Sequence, residues 1–140
     1  MEPTKRAAAI IVKNDEILLM HRFKDGREYF VFPGGSVEKG ESIKEAVIRE
    51  IKEELCLDIK IDRLLFKIFV QTNKYDSGRM SYFYLVREFT GTPRLGGPEK
   101  ERMNKNNQYY PEWKELNQLK ELTNLYPEEA KNKIEESIKK

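Results

Sequence analysis

One helical turn of this chain, Arg49-Glu50-Ile51-Lys52-Glu53-Glu54, carries three carboxylates and an arginine. At about 100° per residue, Glu50, Glu53 and Glu54 fall within one arc of about 100°. The apolar positions Ile43, Val47, Ile48, Ile51 and Leu55 form a stripe that borders and partly overlaps that arc. Like charges three and four residues apart repel. Beside a core each ionised carboxylate also loses hydration. Either the carboxyl groups hold their protons or a cation sits among them. A divalent cation answers this best, and ligands that are all oxygen favour Mg2+ or Mn2+ over zinc.

The segments around this turn have to position it. Ser42 with Glu45 three residues later makes a capping box, so a helix is predicted to start at Ser42. Before it, Gly34-Gly35 opens a polar loop that reaches Gly40-Glu41. Further upstream "RAAAIIVK", Asn14-Asp15 and "EILLMHRF" read as two strands joined by a tight turn. "KDGRE" is a loop, and "YFVF" is a short strand that stops at Pro33. After the helix, "DIKIDRLLFKIFVQT" and "MSYFYLVREF" read as strands around the turn "KYDSGR". Residues 90 to 108 form a long loop, a place where functional residues gather. "QYYPEW" is a further short strand, and Pro111 marks it as an edge. A last helix opens at Pro127-Glu128-Glu129, with Ala130, Ile134 and Ile138 as its apolar stripe. Strands on both sides of a central helix, with a second helix at the end, predict an α/β fold: a mixed sheet flanked by helices.

The whole chain bounds the function. Its 140 residues fit one domain, 1–140. Twenty-six Lys and Arg against 24 Asp and Glu give a net charge of +2, which argues against nucleic acid as the main partner. The one cysteine, Cys56, excludes an internal disulfide framework and a cysteine-based zinc site, and a reducing cytoplasm is the expected compartment. The apolar run Ala7 to Val12 is too short to span a bilayer, so no membrane partner is expected.

The stretch Gly35 to Leu57 resembles the signature of the Nudix hydrolases. Gly35, Glu41, Arg49-Glu50-Ile51, Glu53-Glu54 and Leu57 stand at its spacing, and Pro33-Gly34 precede it as is typical. One position departs: Cys56 stands where the family has a glycine. Glycine after a helix supplies a positive φ, and cysteine there would cost about 1 kcal/mol unless the helix ends differently.

The resemblance implies a Nudix α/β/α sandwich. It also implies Mg2+-dependent hydrolysis (Mn2+ serving as well) of a nucleoside diphosphate linked to another moiety, as in the MutT group. Glu53 and Glu54 would hold the metal, with Glu50 as a further ligand or the general base. Glu53 enters the catalytic set as well. Arg49 would orient Glu50, Glu41 would reach the metal directly or through water, and the carbonyl of Gly34 or Gly35 would add a ligand. From the long loop Glu99, ahead of Glu101, is the candidate for a further ligand. Arg22, Arg27 and Arg79 are candidates for phosphate, and an aromatic side chain for the base. The expected partner is a small nucleotide: a nucleoside triphosphate first, with ADP-ribose, dinucleoside polyphosphates and RNA 5′ ends open. A homodimer also stays open. The rival is a non-catalytic nucleotide-binding module, and such modules typically lose the carboxylates that this chain keeps.

Overall fold

The computed structural model describes residues 2–71, 73–96 and 103–138. Strand β1, Thr4–Lys13, is buried on both faces from Ala7 to Ile11, which is why it reads as a continuous apolar run. Asn14 and Asp15, both at positive φ, turn it back into β2, Glu16–Lys24. Asp25 and Gly26 make a second two-residue turn into β3, Arg27–Val31, so the expected "KDGRE" loop is shorter than its polarity implied. Gly34–Ser36, expected as the opening of a loop, is a short strand β4 paired antiparallel to Arg6–Ala8 of β1. Helix α1, Ile43–Leu55, leads into β5, Asp58–Val70, and β6, Arg79–Thr90.

The chain then forms β7, Asn107–Glu115, a 3-10 helix at Leu116–Glu121, a two-residue strand β8 at Leu125–Tyr126, and α2, Glu129–Ile138. Strands follow the order β5-β6-β1-β2-β3-β8, with β4 added beside β1 and β7 beside β2. Among the described residues, Pro111 lies in a strand whose ladder partner is β2. The sheet is mixed: β1 runs parallel to β6 and β3 parallel to β8, while the other pairs are antiparallel.

Alternation along β1 divides the core. Ala7, Ala9 and Ile11 pack with Ala46, Val47, Ile51 and Leu55 of α1. Ala8 and Ile10 face the other way, with Phe32, Phe83, Ala130 and Ile134, so α2 covers the opposite face. The result is an α/β/α sandwich. Strands β1 and β2 pair only at Val12–Ile17 and Lys13–Glu16 among the described residues. Beyond that point they diverge, and the cleft between them is where the carboxylates look. No described helix is long and apolar enough to cross a membrane.

Candidate active site

Ser42 accepts the Glu45 N–H at 3.1 Å while the Glu45 carboxylate accepts the Ser42 N–H at 2.9 Å, so the capping box forms as the sequence predicts. This fixes the start of α1 and, through its 3.6-residue period, the direction of each glutamate. Glu54, which overlaps the apolar stripe, is 8% exposed, whereas the Glu53 side chain is half exposed. Ile48, expected in the stripe, is 45% exposed: it lies at the edge away from the sheet.

Arg49 ties the acidic residues together. Its Nε and one terminal nitrogen bond both Glu41 oxygens, at 2.7 and 3.0 Å. Its other terminal nitrogen donates to Glu50 at 2.9 Å and to Glu53 at 3.3 Å. The Ser36 carbonyl accepts a further bond at 3.0 Å. The Arg49 hydrogen bond holds the Glu41 carboxyl down at about 2, and the same bond raises the guanidinium above its ordinary value.

The two glycines of β4 have separate jobs. At Gly35 a Cβ would overlap the Glu50 carboxylate, so glycine there lets that carboxylate lie against backbone. At Gly34, φ +155°, a Cβ would overlap the Ala7 carbonyl of β1. The Gly34 N–H donates to the Glu54 carboxylate at 3.2 Å.

Among the described residues, no three His, Cys, Asp or Glu side chains stand in metal-holding geometry, and Arg49 engages three of the carboxylates. The donor set nevertheless fits a hard divalent cation. It is all oxygen, it lies on one helix arc, and the missing side chain at Gly35 lets the Glu50 carboxylate lie against the backbone.

A cavity of about 380 Å³ opens beside Glu50, Glu54, Gly34 and Gly35, with Arg6, Arg22 and Asn107 in its wall. Arg6 escaped the sequence reading. It is in phase with Ala8 and Ile10, so a charged residue sits on a strand face that is otherwise core, and that phase is the signal that could have found it. It donates to the Phe32 carbonyl at 3.1 Å. Burial pulls its guanidinium below the ordinary value, opposed chiefly by the charge of Glu54.

Other candidates scatter. Arg22 and Arg79 line a neighbouring larger cavity, whereas Arg27 packs over Tyr29 and is not part of its lining. His21 bonds Glu28 at 2.7 Å and stacks on Phe30, and it lines neither cavity. Phe32 and Phe83 are core. Glu99 and Glu101 lie outside the described residues.

Comparison with known proteins now bears on this arrangement. The NUDIX domain family matches residues 3–134. The chain belongs to the Nudix family. Over 66 residues it is 44% identical to the ADP-ribose pyrophosphatase of Methanocaldococcus jannaschii, which is 46% of this chain and 39% of that one. Over 83 residues it is 35% identical to the nucleoside triphosphatase NudI of Escherichia coli, 54% of this chain and 59% of that one. The chain thus spans less than two thirds of these curated relatives. Among solved structures, the MutT NUDIX hydrolase from Burkholderia pseudomallei superposes with a TM-score of 0.65 at 27% identity, over 84% of this chain and 86% of that one. Nudix hydrolases generally use divalent metal ions.

Proposed function

We propose that this Nudix chain hydrolyses a pyrophosphate bond in a nucleoside-diphosphate-linked substrate with the help of Mg2+, for which Mn2+ can substitute. A nucleoside triphosphate, cut to the monophosphate and pyrophosphate, is the first candidate. Similarity to an ADP-ribose pyrophosphatase and to a nucleoside triphosphatase supports this substrate range. One observation carries the reading: Glu50 and Glu54 line one cavity together with Arg6 and Arg22. Carboxylates for a cation and guanidinium groups for phosphate therefore share one cavity.

In this proposal Glu50, Glu53 and Glu54 hold the ion, joined by Glu41 and a carbonyl of Gly34 or Gly35. The ion supplies charge neutralisation at the phosphate oxygens. The protein's own groups do the rest. Arg6 and Arg22 bind and orient the phosphates. A carboxylate, Glu50 or Glu53, accepts a proton from water as the water oxygen bonds to phosphorus. The bridging P–O bond breaks and the second phosphate leaves with that oxygen. Arg49, bonded to both candidate bases, is a positioning residue for this step. The lone thiol of Cys56 suits a cytoplasmic setting.

The test is a substrate panel with Mg2+: nucleoside triphosphates, ADP-ribose, dinucleoside polyphosphates and triphosphorylated RNA, with products identified. Glu53→Gln and Glu54→Gln are expected to lower kcat by about a hundredfold or more while the fold persists by circular dichroism. Near-wild-type turnover in either variant would remove that residue from the metal set. A panel without any product would favour the binding-module reading.

A further inference from the structure

A second cavity, of about 680 Å³, shares Arg6, Arg22, Val31 and Phe32 with the cavity beside the carboxylates. Arg6 and Arg22 therefore stand between the two. The far chamber is lined by no glutamate of α1. Its polar lining comes from Thr4, Arg6, Arg22, Arg79, Ser81 and the acidic Asp76. The arginines arrive from three strands. Thr4 and Arg6 are two residues apart on β1, and their register partners on β6 are Arg79 and Ser81, so Arg79 and Arg6 project from one sheet face. Arg22 comes from β2 on the far side of the cleft.

Gathering three guanidinium groups around one cavity is unfavourable unless negative charge answers them. Part of the answer is internal: Glu54 and Glu50 act on Arg6 from the neighbouring cavity, and Asp76 lines this chamber beside Arg79. Arg6 donates to the Phe32 carbonyl, and Arg22 donates to Asn107 at 3.3 Å while lying over Tyr109. The Arg22 Nε remains a buried donor with no partner among the described residues. Neutral nucleobases or sugars would leave this charge unanswered, whereas a phosphate meets it with several acceptor oxygens.

We propose that this chamber is a second anion subsite, in which Arg79 together with Arg6 and Arg22 holds a phosphate of the substrate outside the pyrophosphate that is cut. This rests on the hydrolase reading above and narrows it. The preferred substrates carry at least three phosphates, the extra one either in the chain or as a monoester on the remote moiety. Arg79 is the specificity residue, because it lines the far chamber and not the cavity beside the carboxylates.

The experiment has a binding arm and a kinetic arm. Inorganic tripolyphosphate and pyrophosphate are titrated calorimetrically into the full chain without added divalent cation. Arg79→Ala is expected to raise the tripolyphosphate Kd about tenfold, with a smaller effect on pyrophosphate, and Arg79→Lys to recover part of the loss. Arg63→Ala, on exposed β5 beside Asp62, controls for general charge and should bind as wild type. With Mg2+, kcat/KM is compared for ATP against ADP and for NADPH against NADH. The first pair varies a chain phosphate and the second a ribose phosphate. Wild type should prefer the more phosphorylated member of at least one pair, and Arg79→Ala should reduce that preference about tenfold. Unchanged tripolyphosphate binding and unchanged preference in Arg79→Ala would overturn the subsite while leaving the hydrolase intact. Tripolyphosphate binding that depends on Arg79 in a protein that cleaves nothing would keep the subsite and sink the hydrolase.

Discussion

Two residues bear charges or conformations that the fold must offset. Glu41 keeps its charge because Arg49 grips both its oxygens, and its folded carboxyl sits at about 2 against an ordinary 4.5. A depressed folded value means stability that is fully present above the unfolded value and lost as pH falls through about 2. The stability gap between wild type and Glu41→Gln, from urea unfolding without divalent cation, should hold steady above about pH 5 and close as pH falls toward 2. A gap that stayed constant down to pH 2 would refute the pairing. Cys56 is the other case. Its backbone takes the left-handed conformation that favours glycine, φ 59° and ψ 32°, and the Cys56 N–H caps the Lys52 carbonyl at 3.0 Å. Cys56→Gly should therefore stabilise by about 0.5 kcal/mol, as relief of strain outweighs glycine's extra unfolded freedom. A lower urea midpoint would show that the cysteine side chain matters more than the backbone.

At the scale of elements, α1 is held at both ends by groups that differ in how visible they are in the sequence. Its start was legible, because Ser42 and Glu45 are three residues apart and need only each other. Ser42→Ala should cost about 1 kcal/mol, read as a lower melting temperature with the same unfolding cooperativity. Its end was not legible. The Glu54 and Leu55 carbonyls accept the N–H groups of Gly96 and Arg94, which lie some forty residues later, just past β6. At Gly96 a Cβ would overlap the Glu53 carbonyl, so the segment approaches the helix end more closely than any other residue would allow. The strand β4 escaped the sequence for a related reason. Two glycines and a serine carry no alternating pattern, and only pairing with Arg6–Ala8 makes them a strand.

For the whole molecule, the cleft is a product of sheet order. Because β1 pairs with β2 only near their turn among the described residues, the remaining edges part, β4 fills one of them, and both cavities lie in the gap. Glu50 and Glu54 line the cleft beside the arginines, which sets an expectation for the intact protein. Mg2+ at about a hundred times its Kd should stabilise it by about 2.7 kcal/mol, several degrees in Tm, and Glu54→Gln should shrink that shift. An equal shift in wild type and variant would place the ion elsewhere. The sequence by itself determined α1, its capped start, the shared arc of Glu50, Glu53 and Glu54, and the glycines before them, because each depends on residues a few positions apart. It also showed a mixed sheet with helices packed on it, since runs of strand and helix leave few ways to bury their apolar faces, while the sandwich came from the family resemblance. Only the tertiary structure decided that Arg49 holds Glu41, Glu50 and Glu53 at once, that Glu54 meets the Gly34 N–H, and that Arg6, Arg22 and Arg79 share one chamber. Those meetings depend on strand order and register, which are set by pairing between segments far apart in the chain.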